Sequence, residues 1–357
     1  MTQELNEFIY DASVERQIYL LRHRAGLVRK IKQVLKKHDV EFTDALASRL
    51  ARLSGKDIER LGTAIGFTTA QLQALEALLE RFQETSFQTL NSVLDEELNQ
   101  LTEDEYDFQR EVYLNGVQGL GLVSGVALAS KMSDPSGKRK LELSVGKTQD
   151  EIISEWAARR KQKVLATIRL AVTTNENPDI NTILKAVGGT SRRFGGILRD
   201  THYGAIVYSE TLHQSAISAG AMDIVRQFSS EEKENSETIN QADLLWSSIL
   251  DGKTSSKCFR LHNKLVFKQL GGQRPPAHPR CRSNVIPWYG GNASSPNSET
   301  VTKWFRRQPE DVKKRILGKN RYEAYSKDSS SLSFPRDFIS ENGDRYTLEQ
   351  LRSRNKI

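Results

Sequence analysis

The chain has few cysteines, few prolines and no long hydrophobic run. Two Cys in 357 residues are too few for a fold held by disulfides, and 9 Pro with 23 Gly exclude collagen-like and low-complexity classes. The longest apolar stretch, residues 117–129, is shorter than the ~20 residues of a membrane-spanning helix. The N-terminus carries acids where a signal peptide has basic residues. We therefore expect a soluble protein without a membrane span, made and kept in a cytoplasm.

Charge is unevenly distributed along the chain. The net charge of +7 is modest, but residues 16–37 contain eight Lys or Arg and no acid, whereas residues 76–111 contain eleven acids and two Arg. Residues 252–297 again hold eight basic residues and no acid, and residues 303–327 hold nine basic against three acidic residues. Such segregation favours anionic partners, nucleic acid first. The alternative is that these residues form solvent-exposed helix faces whose opposite charges balance one another.

The N-terminal third has helical spacing of its apolar residues. Hydrophobic residues recur every three or four positions between residues 20 and 35, and Thr43 is a candidate cap for a second helix. Thr68 or Thr69 would open a third helix, and Thr102 with Glu105 forms a capping-box pattern for a fourth. The basic first helix and the acidic later ones predict an antiparallel bundle, in which complementary charge explains both runs.

The rest of the chain alternates helical and irregular segments. Thr148 with Glu151, and Thr347 with Gln350, form two further capping boxes. Helices are predicted at residues 191–220 and 300–316, and short strands at residues 264–267 and 283–288. Exposed loops or linkers are expected at residues 133–140, 229–237 and 290–298.

These patterns predict a mainly α fold with a small α+β module. We divide the chain into a helical N-terminal region (1–115), a Gly-rich segment and linker (116–145), a central helical region (146–228), the Cys/His module (240–290) and a basic helical C-terminal tail (299–357).

The phrase SVGKT at residues 144–148 has part of a phosphate-binding loop motif. The glycine that such a loop needs is replaced by Leu141, and no clear strand precedes it. A helix cap at Thr148 explains these residues better.

The Cys/His module contains two close pairs of metal-ligand residues. Cys258 and His262 are four positions apart, and His278 and Cys281 are three apart, with a Gly-Gly and Pro-Pro connection between the pairs. Thiolates and imidazoles are the ligands of tetrahedral zinc sites, so we predict zinc at these four residues. A disulfide between the cysteines and two ordinary buried thiols are the alternatives.

The basic residues suggest two binding surfaces. Because residues 252–297 lack acids, we predict non-specific contacts with double-stranded DNA there. The residues chosen for this surface are Lys253, Lys257, Arg260, Arg274, Arg280 and Arg282. In the tail, aromatic and basic side chains suit docking on a partner. These are Trp304, Phe305, Arg306 and Arg307.

No arrangement of nucleophile and base stands out, so no catalytic residue is predicted and we expect the protein not to be an enzyme.

From residue 145 onward the sequence resembles the head-morphogenesis family of tailed phages, the minor head proteins similar to the F protein of phage Mu. The resemblance rests on a run beginning at Trp246, on RPPAHPRCRS, and on WFRRQPEDVKKRILGKNRYEAYS and TLEQL in the tail. The family pattern is matched at Trp246, Asp251, Lys253, Thr254, Cys258, Pro275, Pro276, His278, Cys281 and Arg282. Arg199 and Thr201 resemble the family's Arg-Thr helix.

This resemblance implies a low-copy, internal component of the phage head. Its expected partners are the portal protein, the major capsid protein and packaged DNA, and its expected role is head assembly, DNA packaging or DNA delivery. The expected location is the capsid interior of the virion, and the host cytoplasm during assembly. A metal-dependent nuclease or peptidase of head maturation and a zinc-containing DNA-binding protein are the alternative functions.

The chain departs from the family pattern at three positions of the module. Ser255 stands where many relatives have Cys, Lys253 where Arg is usual, and Asn263 where Gly is common. The missing Cys gives His262 more weight as the fourth metal ligand.

Overall fold

The computed structural model describes residues 2–62, 69–119, 147–174, 179–189, 196–231, 242–289 and 300–354. Within these ranges the helices are α1 (Thr2–Leu50), α2 (Gly55–Gly62), α3 (Ala70–Gly119), α4 (Gln149–Thr173), α5 (Ile180–Gly188), α6 (Ile197–Glu231), α7 (Ser256–Leu261), α8 (Val266–Leu270), α9 (Val301–Arg307), α10 (Glu310–Leu317), α11 (Lys319–Lys327) and α12 (Leu348–Ser353). The strands are β1 (Ala242–Ser247) and β2 (Asn284–Tyr289). The predicted mainly α fold with a small α+β module is confirmed. No helix in these ranges has both the length and the apolar character needed to cross a membrane.

The chain forms two compact units. Unit 1 comprises Met1–Tyr19, Leu101–Gly137 and Gln214–Ile357, and unit 2 comprises Leu20–Gln100 and Lys138–His213. Both units combine segments that are distant in sequence. The N-terminal and central helical regions, expected as separate segments, therefore each contribute to both units. Most of the expected Gly-rich segment, the start of the SVGKT phrase, the linkers at 133–140 and 290–298 and most of the loop at 229–237 lie outside the described residues.

Unit 2 is a helical assembly around an aliphatic core. Leucines of α1 and α3 pack with side chains of α2, α4 and α5, and the rings of Phe42 and Phe82 lie 4.0 Å apart. Towards the other end of the same pair of helices, the Lys30 ammonium binds Glu96 at 3.3 Å and Glu97 at 2.7 Å. The predicted antiparallel pairing of the basic and acidic helices is confirmed, and part of the segregated charge is balanced within unit 2.

Two predicted helix starts are wrong. Residues 2–50 form one helix, and the Thr43 hydroxyl donates to the Asp39 carbonyl inside it instead of capping a new one. Residues 70–119 also form one helix, in which Thr102 is buried and Glu105 binds Arg16 at 3.2 Å. A hydroxyl residue followed by Glu three positions later is compatible with a helix interior when the side chains find other partners.

Unit 1 contains a two-stranded sheet packed on helices. Strands β1 and β2 pair antiparallel with Leu245 opposite Ile286, and every residue of β2 is buried. The Asn6 side chain of α1 closes the end of β2 with two hydrogen bonds to Tyr289, one accepted and one donated. Helices α3 and α6 approach closely at Gly220, where a Cβ would lie 2.8 Å from the Thr102 carbonyl oxygen.

The predicted strand at residues 264–267 is wrong, because its second half is the start of a helix. Only Leu265 makes a bridge, to Leu245, and α8 begins at the next residue. The cause is distant in sequence. The buried Asp243 carboxylate of β1 accepts from the amides of Phe267 and Lys268, at 2.8 and 3.1 Å, and so caps the N-terminus of α8.

The C-terminal tail packs against the Cys/His module inside unit 1. The predicted helix at 300–316 is two helices, α9 and α10, with Pro309 between them. Trp304 and Phe305 are 8% and 1% exposed and lie in a cluster with Phe259 of α7. The expectation that these two aromatic side chains dock on a partner is therefore wrong, since they fill the core of the tail. Arg306 and Arg307 are exposed.

Candidate metal centre

The Cys/His module brings its ligand residues together through a short loop-helix frame. After β1 the chain turns into α7, and Asn263 then reverses it with a left-handed φ of 62°. The Asn263 amide donates to the Trp246 carbonyl at 2.8 Å, and the Trp246 amide donates to the Lys264 carbonyl at 2.9 Å. These two bonds fix α7, which carries Cys258, beside the end of β1.

Three potential ligands converge in the described part of the chain. They are Cys258, His278 and Cys281, whose ligand atoms all lie within 4.8 Å of one another. The Cys258 Sγ lies 3.1 Å from the His278 Nε2 and 3.7 Å from the Cys281 Sγ. Both cysteines are buried and His278 is half-buried. This group could hold a metal ion.

The distances discriminate between the interpretations of the two cysteines. A disulfide has sulfurs about 2.05 Å apart, and here both cysteines are free. In a tetrahedral zinc site with Zn–S bonds of about 2.3 Å, two sulfurs lie about 3.8 Å apart, close to the observed 3.7 Å. The sulfur-to-nitrogen distance would be about 3.6 Å. The His278 ring would therefore need to withdraw slightly to admit an ion.

Hydrogen bonds around the three residues prepare them as ligands. The His278 Nδ1 donates to the Pro279 carbonyl at 2.8 Å, which leaves the Nε2 lone pair towards the sulfurs. The two sulfurs share a hydrogen bond, which lowers the pKa of Cys281 to about 4 and raises the pKa of Cys258. The Cys281 sulfur in turn raises the pKa of His278. The lowered pKa at Cys281 favours the thiolate form, which metal binding requires.

The structure does not bring His262 into this group, so its prediction as the fourth ligand is wrong. The His262 Nδ1 accepts from the Ser248 amide at 3.0 Å. Burial lowers the pKa of His262 to about 4, so the ring stays neutral. Its place after the last residue of α7 turns the ring towards β1, and the spacing alone could not reveal that direction.

A second set of contacts ties the loop before α7 to the strand after the site. The Arg282 guanidinium binds both carboxylate oxygens of Asp251, at 2.8 and 2.6 Å. Asp251 also accepts from the Lys253 amide at 2.8 Å and from the Thr254 hydroxyl at 3.2 Å. Burial acts to raise the pKa of Asp251, but these bonds outweigh it and hold the pKa below its usual value.

A third set of contacts lies beneath the sulfurs. The Ser248 hydroxyl donates to the Cys258 carbonyl at 2.9 Å, accepts from the Trp246 indole at 3.0 Å and contacts the Ser283 hydroxyl at 3.0 Å. Trp246 packs against both cysteines and Leu261. Sequence reasoning missed Ser248 and Ser283, since isolated serines carry no spacing signal.

The six residues predicted to contact DNA differ in their surroundings. Lys253 and Arg280 are exposed, whereas Lys257, Arg260 and Arg274 are half-buried. Arg282 is committed to the bidentate ion pair with Asp251, so its charge is neutralised within the module. This ion pair makes Arg282 less suited to phosphate contacts than the exposed Lys253 and Arg280.

Sequence reasoning also missed a buried polar network in unit 2. The fully buried Arg160 donates to the hydroxyls of Thr201, at 3.0 Å, and Ser86, at 2.9 Å, and pairs with Asp39. Asp39 also binds His202 at 2.6 Å. Arg160 lies on a helix rich in basic residues, so nothing in the sequence distinguished it from its exposed neighbour Arg159.

Comparisons with known proteins return no relative: no family model, no curated protein and no solved structure matches the chain.

Proposed function

We propose that this protein is a minor head protein of a tailed phage, located inside the capsid and associated with the portal. Its role would be to support head assembly, DNA packaging or DNA delivery, with the major capsid protein and packaged DNA as further neighbours. The motif in residues 145–357 that resembles the head-morphogenesis family is the starting point.

The observation that carries the proposal is that the motif residues form one connected structure. Trp246 packs on Cys258 and Cys281, and Asp251 pairs with Arg282. These residues are up to 36 positions apart (246 to 282) in the sequence, so their convergence is not a consequence of local spacing. Such contacts among the motif residues are what we expect if the motif defines a structural module that the family has in common.

The backbone at Asn263 also supports the resemblance. Relatives commonly have Gly at this position, and here its φ is 62°. Glycine adopts that left-handed region freely, and Asn is one of the few other residues that tolerate it. The substitution therefore preserves the turn between α7 and α8.

We infer that the metal held by Cys258, His278 and Cys281 is zinc, because two thiolates and one imidazole suit this ion. The module buries few large apolar side chains around the cysteines, mainly Trp246 and Leu261. A bound ion would cross-link α7 to the turn before β2, and this cross-link would add stability that the small apolar core around the cysteines does not supply.

The portal association is tested by co-purification. The protein and the portal protein of the same phage genome are co-expressed, and the portal protein is captured through a tag. We expect recovery of the chain, and reduced recovery of the double variant R306Q/R307Q, because both arginines are exposed beside the core of the tail. The double variant K319Q/K327Q is the matched control, with two other exposed cations of the tail.

Failure of the wild-type chain to co-purify with the portal protein would contradict the proposal. Normal incorporation into heads, combined with hydrolysis of DNA or of a head protein that active-site variants abolish, would favour the alternative nuclease or peptidase function.

DNA contact is tested by salt-dependent binding. Each phosphate neutralised adds roughly 0.9 to the slope of log affinity against log salt. K253Q and R280Q remove the two exposed cations of the predicted set and should flatten that slope for every sequence alike. The double variant D251N/R282Q removes the ion pair without changing the net charge and should leave the slope unchanged. An unchanged slope in K253Q/R280Q would place DNA contact elsewhere or nowhere.

A further inference from the structure

We propose that the Ser255 hydroxyl lies at the fourth coordination position of the metal centre. The ligands would then be two thiolates, one imidazole and one weakly bound oxygen that exchanges easily. This inference rests on the metal-holding role proposed above for Cys258, His278 and Cys281.

Ser255 touches two of the three ligands. Its Oγ lies 2.7 Å from the His278 Nε2 and 3.1 Å from the Cys258 amide nitrogen. Because the Nδ1 donates to the Pro279 carbonyl, the Nε2 lone pair faces the Ser255 hydroxyl, and an ion that entered the site would replace this hydrogen bond. A hydroxyl that contacts this nitrogen and the amide of a ligand residue lies beside the centre that the ligand atoms surround.

The position of Ser255 is fixed by the fold. Ser255 is the N-cap of α7, and its Oγ accepts from the Cys258 amide at 3.1 Å. An N-cap side chain and the residue three positions later lie on the same side of the first turn. Ser255 and Cys258 are therefore held together independently of any ion, and the oxygen cannot easily turn to solvent.

The other polar side chains nearby are directed elsewhere. The His262 Nδ1 accepts from the Ser248 amide, and His262 is not among the converging ligands. The Ser283 hydroxyl lies 3.0 Å from the Ser248 hydroxyl, on the side of the β1 strand end.

A neutral hydroxyl is a poor ligand for a soft-to-borderline divalent ion compared with a thiolate. Three strong ligands and one weak position predict an ion that exchanges more readily than in a closed four-ligand structural site. A thiolate placed at residue 255 would close the site.

The test is cobalt and zinc binding by the full chain, reduced and freed of metal. Cobalt titration is followed by the sulfur-to-cobalt absorption, which reports the number of thiolates, and zinc affinity is measured by competition with a chelating dye. S255C should raise zinc affinity about tenfold or more and increase the sulfur-to-cobalt absorption by about half, from two thiolates to three. H262N, which retains an acceptor for the Ser248 amide, should leave both quantities unchanged, and far-UV circular dichroism checks that each variant is folded.

The outcomes separate this inference from the function on which it rests. Metal binding by the wild-type chain with no added thiolate signal in S255C, or with loss of binding in H262N, would overturn the assignment of Ser255 alone. Absence of binding in both the wild type and S255C would overturn the metal role as well.

Discussion

The Cys/His module and unit 2 bury polar groups in different ways. Unit 2 places one network, centred on Arg160, within a continuous apolar core formed by six helices. The Cys/His module has little apolar core around its cysteines and is connected instead by polar contacts, such as the Asp251–Arg282 pair and the Ser248 hydrogen bonds. The long helices of unit 2 bury enough apolar surface to tolerate the buried Arg160 cation. Around the cysteines of the Cys/His module, where less apolar surface is buried, the polar contacts contribute more to the structure.

The largest expected effect is in the unit 2 network. R160M would leave Asp39 and the hydroxyls of Ser86 and Thr201 without their central donor, because Arg160 is fully buried. We expect a loss of about 3–5 kcal/mol in the free energy of unfolding. Hydrogen exchange of α4 amides and urea unfolding measure it.

R159M on the same helix is the control, because Arg159 is exposed and its partners among the described residues are Glu155 and, more distantly, the Tyr208 ring. It should cost less than about 0.5 kcal/mol. Equal effects of the two variants would mean that the network does not stabilise unit 2.

The next effect is in the Cys/His module. Zinc at 100 times its dissociation constant should stabilise the module by about 2.7 kcal/mol, if it binds only the folded state. Removing zinc with a chelator, or the variant C281S, should speed hydrogen exchange in residues 246–283 and leave α4 amides unchanged. Hydrogen exchange that the chelator does not change would show that the module is held together without the metal.

Acid should affect unit 2 through His38. Burial and the neighbouring Arg160 lower the pKa of His38 to about 4 from a usual 6.5. The folded chain then binds fewer protons than the unfolded chain between these values, so the stability is present above pH 6.5 and is lost as the pH falls towards 4. We expect a loss of about 2 kcal/mol between pH 7 and pH 4.5.

H38Q should weaken this pH dependence while retaining an acceptor near Arg160. The measurement is urea unfolding across that pH range, followed by hydrogen exchange of the α4 amides, which lie in unit 2. A pH dependence identical to that of the wild type would assign the acid sensitivity to other groups.

The smallest effects are at helix caps, where both regions should behave alike. Thr148 caps α4 in unit 2 and Thr347 caps α12 in unit 1, each with a complete capping box. T148A and T347A should each cost about 1 kcal/mol. T43A, inside α1, should cost less, since its hydroxyl bonds only the Asp39 carbonyl of the preceding turn. Thermal unfolding compares the three.

Local signals in the sequence predicted local structure well. Thr148 and Thr347 cap helices because the partner of each hydroxyl is only three residues away. The β2 strand was also predicted, although at residues 283–288 instead of 284–289, from its run of β-forming residues. The convergence of Cys258, His278 and Cys281 followed from ligand chemistry and from the turn between them.

Features set by distant contacts could not be predicted in this way. The helix at α8 depends on Asp243, which is 23 positions before its first residue. His262 has the spacing of a ligand but binds the Ser248 amide, and Trp304 has the composition of a docking residue but fills the core with Phe259. In each case a partner elsewhere in the chain determines where the side chain points.

Metal content tests the central claim most directly. The full-length protein, purified under reducing conditions without a chelator, is examined by elemental analysis and by native mass spectrometry. With Cys258, His278 and Cys281 as a working centre, we expect about one zinc per wild-type chain and none in C258S or C281S. A wild-type chain that is fully folded, has both thiols reduced and carries no zinc even after zinc is supplied would contradict the account.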